Sequence, residues 1–421
     1  MTILHIQRAR VIDPSQSLDT VTDVWVRDGH LQAFSAPPAD VTADTVIDAE
    51  GQWLLPALVD LGGHLPEPGY SQKGSIDSET RAAALGGFSH LCSLPDTKPV
   101  ADTSAVIKLI QEKALRAGHA RVLPLGAMTQ GLEGEQLASM VTLQEAGAVA
   151  MSNARQPIRD SYVLRRLMEY AATYDIALFL NANDLSLAQG GCMHEGPVAT
   201  RMGLSGIPET AETIALAQLL LLIEQTGVRA HISQISCRRS LSMLAQAREG
   251  GLRVTADTPL ANLLYTDAAV TGYNSLYNVQ PPLRSEQDRE ALRAAVGEGL
   301  LAISSNHRPH EIAAKKAPFA DADAGMSQYD GFLPMVMSLL EQSDLTASQL
   351  IQATSVLPAH VVGLPGGLRP GQAFHATLFN PQATTDLSSA RMASRGHNHP
   401  FLNQSLAGAV TATFADGLAI A

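Results

Sequence analysis

The chain is short of the residues on which several functional classes depend. It has three cysteines in 421 residues, Cys92, Cys192 and Cys237, widely spaced and with no C-x-x-C. That excludes a disulfide scaffold, and neither a zinc knuckle nor a redox pair is indicated; the bland reading is buried, inert thiols. Basic residues are also scarce: Lys and Arg total 29 against 41 Asp and Glu, a net charge of −12. Such a field repels phosphate, so nucleic acid and an anionic membrane surface are poor partners. Long apolar runs are missing. The longest, IALAQLLLLI at 214–223, is far too short to span a bilayer and is flanked by Glu212 and Glu224. The N-terminus, MTILHIQRARVID, has no apolar leader core and reads as a strand, which predicts a cytoplasmic protein.

What is present fits a folded globular chain: 45% hydrophobic and 17% charged residues, and enough length for one large domain with a smaller one. Both ends alternate apolar and polar residues. Asp13-Pro14 and Arg27-Asp28-Gly29 punctuate the first 50 residues, and the stretch from about 365 onward has the same character, with an Asp-Gly turn at 416–417. The middle instead alternates short apolar runs with helical patterns. Strands are predicted at 52–61, 89–95, 121–127, 148–153, 176–182, 229–235, 253–258 and 300–306, with helices at 102–118, 210–227 and 285–299 among those that follow them. Eight such units predict a (β/α)8 TIM barrel over 52–364, with a small β-sandwich built from 1–51 and 365–421. A doubly wound sheet is the weaker alternative, because Gly62-Gly63 is a poor match to the phosphate-binding turn it would carry.

In a barrel enzyme the chemistry sits where strands end. Those positions read Asp60-Leu-Gly-Gly-His64-Leu-Pro-Glu-Pro-Gly69, Met151-Ser-Asn153-Ala-Arg155, Leu180-Asn181-Ala-Asn183, His231-Ile-Ser-Gln234 and Ser304-Ser-Asn306-His307-Arg-Pro-His310. Further stretches stand out: Pro56-Ala-Leu-Val-Asp60, Ala84-Leu-Gly-Gly-Phe-Ser, Leu94-Pro-Asp-Thr, Met193-His-Glu-Gly-Pro-Val-Ala-Thr-Arg201, Gly206-Ile-Pro, Pro281-Pro-Leu-Arg-Ser and Gly363-Leu-Pro-Gly-Gly-Leu-Arg-Pro-Gly. Over nearly its whole length the chain resembles the amidohydrolase superfamily, and within it the dihydroorotases of pyrimidine synthesis.

The resemblance implies six metal-ligand or base positions, and the sequence departs at five of them. Where the family has His-x-His, Gly62 replaces the first histidine and His64 keeps the second. Asn153 stands where a carboxylate is expected, Asn181 and Gln234 where histidines are, and Asn306 where the family has the aspartate that acts as ligand and general base. A zinc hydroxide site needs several anionic or imidazole ligands at about 2.0–2.2 Å, and an amide is no base near neutral pH. The family zinc is therefore expected to be lost, with no cofactor in its place. Substrate positions differ as well. Pro66 replaces the arginine of His-Leu-Arg-Glu-Pro-Gly, Asp96 the asparagine of Met-Pro-Asn-Thr, and Gln280 an asparagine before Pro-Pro-Leu-Arg, while His310 is kept.

The remaining histidines carry blander expectations. His64 is expected to hydrogen-bond in a polar pocket, His307 to be structural, His231 to pack at a strand start, and His397-Asn-His399 to lie in a surface loop. The segment 311–326 is expected to be a mobile loop over the barrel mouth. The resemblance implies a non-catalytic partner of the aspartate transcarbamoylase catalytic chain, acting as a scaffold and associating with itself in a larger complex. Two alternatives are an active cyclic-amide hydrolase with an altered metal site, and a ligand-binding module anchored by Arg201 or His310.

Overall fold

A computed structural model describes residues 2–35 and 42–421 of the chain. Five strands open the fold: β1 (Ile3–Asp13), β2 (Leu18–Arg27), β3 (His30–Phe34), β4 (Thr45–Asp48) and β5 (Trp53–Pro56). The barrel strands begin with β6 (Leu58–Asp60), β7 (Phe88–Ser93), β8 (Arg121–Ala127), β9 (Ala150–Ser152) and β10 (Leu178–Asn181). A short pair, β11 (Met193–His194) and β12 (Gly206–Ile207), precedes β13 (Ala230–Ser233), β14 (Val254–Pro259) and β15 (Ala302–Ser304). The chain ends in β16 (Ala376–Asp386), β17 (Ser405–Ala415) and β18 (Leu418–Ala419). The helices of the barrel include α1 (Ile76–Leu85), α2 (Ser104–Ala117), α3 (Met140–Glu145), α4 (Ser161–Thr173), α5 (Pro197–Met202), α6 (Thr210–Thr226) and α7 (Arg238–Glu249).

All eight predicted central strands are present, hydrogen-bonded in parallel in the order β6-β7-β8-β9-β10-β13-β14-β15. They form an almost closed barrel. Most of their residues are buried on both faces, which is why they read as short apolar runs rather than alternating ones. Leu61, Cys92, Leu125 and Phe179 fill the interior, and a larger apolar layer including Leu91, Ile110, Leu167 and Leu216 packs strands against helices. Across the gap between β15 and β6, His64 N donates to His307 O at 2.8 Å. There the buried Asp60 carboxylate also accepts from Ser305 N at 2.8 Å, Ser305 Oγ at 2.6 Å and the Tyr329 hydroxyl at 2.9 Å.

Both termini enter one sheet, in the order β18-β17-β16-β5-β1-β2-β3 with β4 also paired to β1. The β-sandwich expected from both termini is built on one continuous hydrogen-bonded sheet. The long strand β1 explains it: Leu4–Gln7 pair with β4, and Arg10 and Val11 pair with β5. The apolar side closes over Ile6, Val11, Val26, Leu54 and Phe374. The single strand expected at 52–61 is two strands. Trp53–Pro56 belongs to the terminal sheet, and the barrel starts only at Leu58. Proline has no N–H to donate, so a ladder readily breaks at Pro56. Among the described residues no helix is long and apolar enough to cross a membrane.

Candidate functional site

The barrel mouth gathers the strand-end residues, but in two different ways. Asn153 follows β9, and its amide is engaged away from the centre. Its Oδ1 accepts from Thr129 Oγ1 at 2.8 Å, and its Nδ2 donates to Gln156 O at 2.9 Å and Leu132 O at 3.3 Å. It ties two loops together. Gln234 and Asn306, after β13 and β15, meet each other: Gln234 Nε2 donates to Asn306 Oδ1 at 3.0 Å, and Asn306 Nδ2 donates to Gln280 O at 2.9 Å. Both have left-handed backbones, with φ of 63° and 48°, a conformation that costs non-glycine residues and persists only when the surroundings dictate it.

The group that unites this centre is Arg155, to which the sequence reading gave no role. Its Nη2 donates to Asn306 Oδ1 and, at 3.3 Å, to Gln234 Oε1. Burial pushes its pKa down to about 9, with the nearby Arg308 acting in the same direction and Asp96 opposing it. The sequence signal was an arginine two residues after the position of the missing carboxylate. The mouth therefore holds a cation, and it is a side chain.

His64 is buried beneath this centre, its Nε2 3.5 Å from Asp96 Oδ2. Burial holds its pKa down at about 4 against the attraction of Asp96, so the ring is neutral. Its Nδ1 and the Asp96 Oδ1 are buried without a hydrogen-bond partner, so the pocket predicted to satisfy His64 does so incompletely. Gly62 lies against the amide that crosses from the far side of the barrel. A Cβ built on it would stand 3.2 Å from Gln234 Nε2 and 3.3 Å from Ser304 Oγ. Pro66 is buried, and its carbonyl accepts from Tyr70 N. Asn181 lies on the wall of the mouth, half-buried, beside Asn183.

The family zinc does not fit these residues. Its positions carry amides, a glycine and one neutral imidazole, and Arg155 points a guanidinium at the two amide oxygens that would face the ion. Among the described residues no group of three His, Cys, Asp or Glu side chains converges as a metal set. The amides hydrogen-bond well but supply neither charge nor base.

Around this centre stands a ring of buried ionic anchors. His307 lies flat on Tyr329, with ring centroids 3.9 Å apart, and its Nε2 donates to Glu79 Oε2 at 2.9 Å. The backbone N–H of Gln328 donates to His307 Nδ1, which fixes that tautomer. Glu79 also accepts from Ser394 Oγ at 2.6 Å, Ser78 Oγ at 2.7 Å and Arg395 N at 3.1 Å. Burial favours its neutral form, but these bonds hold it below the usual carboxylate range. Glu212, at the start of α6, accepts from Ser236 N, Cys237 N and Ser240 Oγ and so positions the start of α7. The guanidinium of Arg284 stands 3.9 Å from it.

Two expectations are corrected in this ring. His397-Asn-His399 is not a surface loop. Asn398 and His399 are fully buried, and Asn398 accepts from His310 N at 2.9 Å and donates to Arg308 O at 2.8 Å. The segment between β16 and β17 reaches back to pin the loop after β15. The stretch 311–326 is also packed down: Asn278 Nδ2 donates to Phe319 O and Ala322 O, and Lys315 Nζ donates to three backbone carbonyls. His310, kept from the family pattern, is buried between Lys73 Nζ at 3.0 Å and Ala324 O at 3.1 Å. Arg201 is exposed on α5, outside the mouth's centre.

Barrel, terminal sheet and strand-end site define an amidohydrolase-type protein. The fold is shared with the L-hydantoinase of Arthrobacter aurescens (TM-score 0.87, 22% identity, covering 100% of this chain and 96% of that one). Residues 51–240 match the Dihydro-orotase-like family. Along 99% of its length the chain is 48% identical to a Dihydroorotase-like protein of Pseudomonas aeruginosa, covering 99% of that protein, and 49% identical to one of Pseudomonas putida, covering 98%. It is 38% identical to a Dihydroorotase of Syntrophobacter fumaroxidans, with 98% and 95% covered. The chain belongs to the dihydroorotase-like family.

Proposed function

We propose that this chain is a non-catalytic dihydroorotase homologue of cytoplasmic pyrimidine biosynthesis, acting as an assembly partner of the aspartate transcarbamoylase catalytic chain. The observation that carries the first half is Arg155 seated against Gln234 and Asn306. Hydrolysis of a cyclic amide needs an activated water and a base to take its proton. The residues at the centre are an arginine cation and two amides, and none of them accepts a proton near neutral pH.

The assembly half rests on the family resemblance and on what surrounds the intact fold. Helix α6 is apolar nearly all round, and Ile214 and Leu221 point outward, 51% and 67% exposed. Tyr162 on the neighbouring α4 is 67% exposed, and Gln218 Nε2 of α6 donates to Ser161 Oγ beside it. An apolar stripe of this kind on an outer barrel helix supports contact with another chain.

The test combines metal analysis with native mass measurement. The purified chain should carry no stoichiometric zinc and should not turn over dihydroorotate. Mixed with the transcarbamoylase catalytic chain, it should form a larger species that raises the transferase's stability. One firmly bound zinc per chain together with dihydroorotate hydrolysis would favour the active-enzyme alternative; two chains that stay separate would remove the assembly role.

A further inference from the structure

A second cavity opens at the opposite end of the barrel from the mouth, where β10, β13, β14 and β15 begin. Its volume is about 410 Å³. Packed interiors leave few voids larger than a water molecule, whereas small-molecule sites run from about 300 to 1,000 Å³. The walls are apolar: Phe179, Leu252, Leu300, and Leu357 and Val361 of the short helix Leu357–Val361. The rim carries Arg229, Arg248 and Arg253, a local excess of positive charge on a chain of net charge −12.

Two of these three guanidinium groups, Arg229 and Arg248, have no paired carboxylate among the described residues. Arg253 pairs with Asp175 at 3.0 Å, on the outer, exposed side. Arg229 reaches the Asp175 carbonyl at 3.4 Å, and its Nε is buried with no hydrogen-bond partner. Arg248 donates its Nε–H to Val254 O at 3.1 Å. Burial depresses its pKa, and no anion opposes that shift. A half-buried cation without a counter-charge is costly, and a bound anion would remove the cost. Arginine is also the side chain best shaped to receive a carboxylate through two parallel hydrogen bonds.

We propose that this cavity is a binding site for a small amphipathic anion, with an aliphatic or aromatic body against Phe179, Leu300 and Leu357 and a carboxylate-type head between Arg229 and Arg248. It is separate from the former catalytic mouth and does not depend on how that mouth is read.

Decanoate is a suitable probe, titrated calorimetrically into the full chain, with decanol and acetate as the headless and bodiless controls. Decanoate should bind at one site per chain and raise the unfolding temperature, and each control should bind at least about tenfold more weakly. The double variant Arg229→Gln, Arg248→Gln should lose decanoate affinity by at least about tenfold while keeping the far-ultraviolet circular dichroism of the parent. Leu300→Trp, which fills the cavity and leaves the arginines in place, should block binding as well. Arg155→Met, altered only in the mouth, should bind decanoate normally. The proposal is overturned by absence of saturable binding at millimolar decanoate, by equal affinity for decanol, or by binding that survives the double arginine variant or disappears in Arg155→Met.

Discussion

The centre of the barrel mouth and the ring around it have been built by different chemistry. In the ring, buried charge is kept and fully engaged: Asp60 across the β15–β6 gap, Glu79 under His307, and Glu212 at the start of α7. In the centre, each position where the family resemblance implies an anion carries an amide, and a guanidinium supplies the positive charge. The difference shows that the two shells serve separate ends. The ring holds the loops and strand ends in place whatever the chemistry, so losing it would cost the fold. In the centre, Arg155, Gln234 and Asn306 are held to one another with no carboxylate among them, so no unpaired buried anion is left there.

That contrast predicts graded losses. The largest belongs to the ring. Glu79→Ala strands the His307 donor and three further donors in a fully buried place, and should lower unfolding stability by roughly 3–5 kcal/mol in a denaturant titration. Arg155→Met, at the centre, should cost less, about 1–3 kcal/mol, because Gln234 still donates to Asn306 in its absence. If Arg155→Met proved as damaging as Glu79→Ala, the distinction between ring and centre would fail.

A smaller effect depends on pH. His310 is held down at about pKa 3 by burial first, then by Lys73 and Lys315, with the Ala324 carbonyl and Asp323 opposing. Its folded value lies below the ordinary unfolded value near 6.5, so between those limits the unfolded chain binds the extra proton. Stability must then rise with pH across that window and level off above it. His310→Gln should flatten the slope by up to about 1.4 kcal/mol per pH unit, one proton's share. The measurement is unfolding free energy at a series of pH values from 4 to 7; an unchanged slope would show that His310 charges freely in the folded state. Smallest of all should be Asn181→Ala, at a half-buried wall position, within about 0.5 kcal/mol of the parent.

How much of this was legible in the sequence depended on the kind of signal. The eight barrel strands announced themselves because parallel strands buried on both faces must be apolar throughout. The break at Pro56 was harder to see, since QWLLPALVDL is one apolar run although its halves serve different sheets. The strand-end site could be named position by position, because resemblance to a family fixes which residues stand at strand ends. The role of Arg155 could not. Whether an arginine near a strand end points into a mouth or into solvent depends on backbone geometry, here the left-handed turn at Ala154. The burial of His397-Asn-His399 was invisible for a similar reason, because its partners, Arg308 and His310, lie about ninety residues away.

Gly62 couples the first barrel strand end to the far side of the mouth. With its Cβ position 3.2 Å from Gln234 Nε2 and 3.3 Å from Ser304 Oγ, a side chain at 62 needs those two neighbours to shift. An aspartate at 306 would in turn meet Arg155 before it met any metal. Substitutions that share partners do not add independently, so changes at 62, 234 and 306 are coupled through Gln234 and Arg155. The three positions form one coupled unit, in which a side chain admitted at 62 has to be accommodated by the amide and the guanidinium opposite it together.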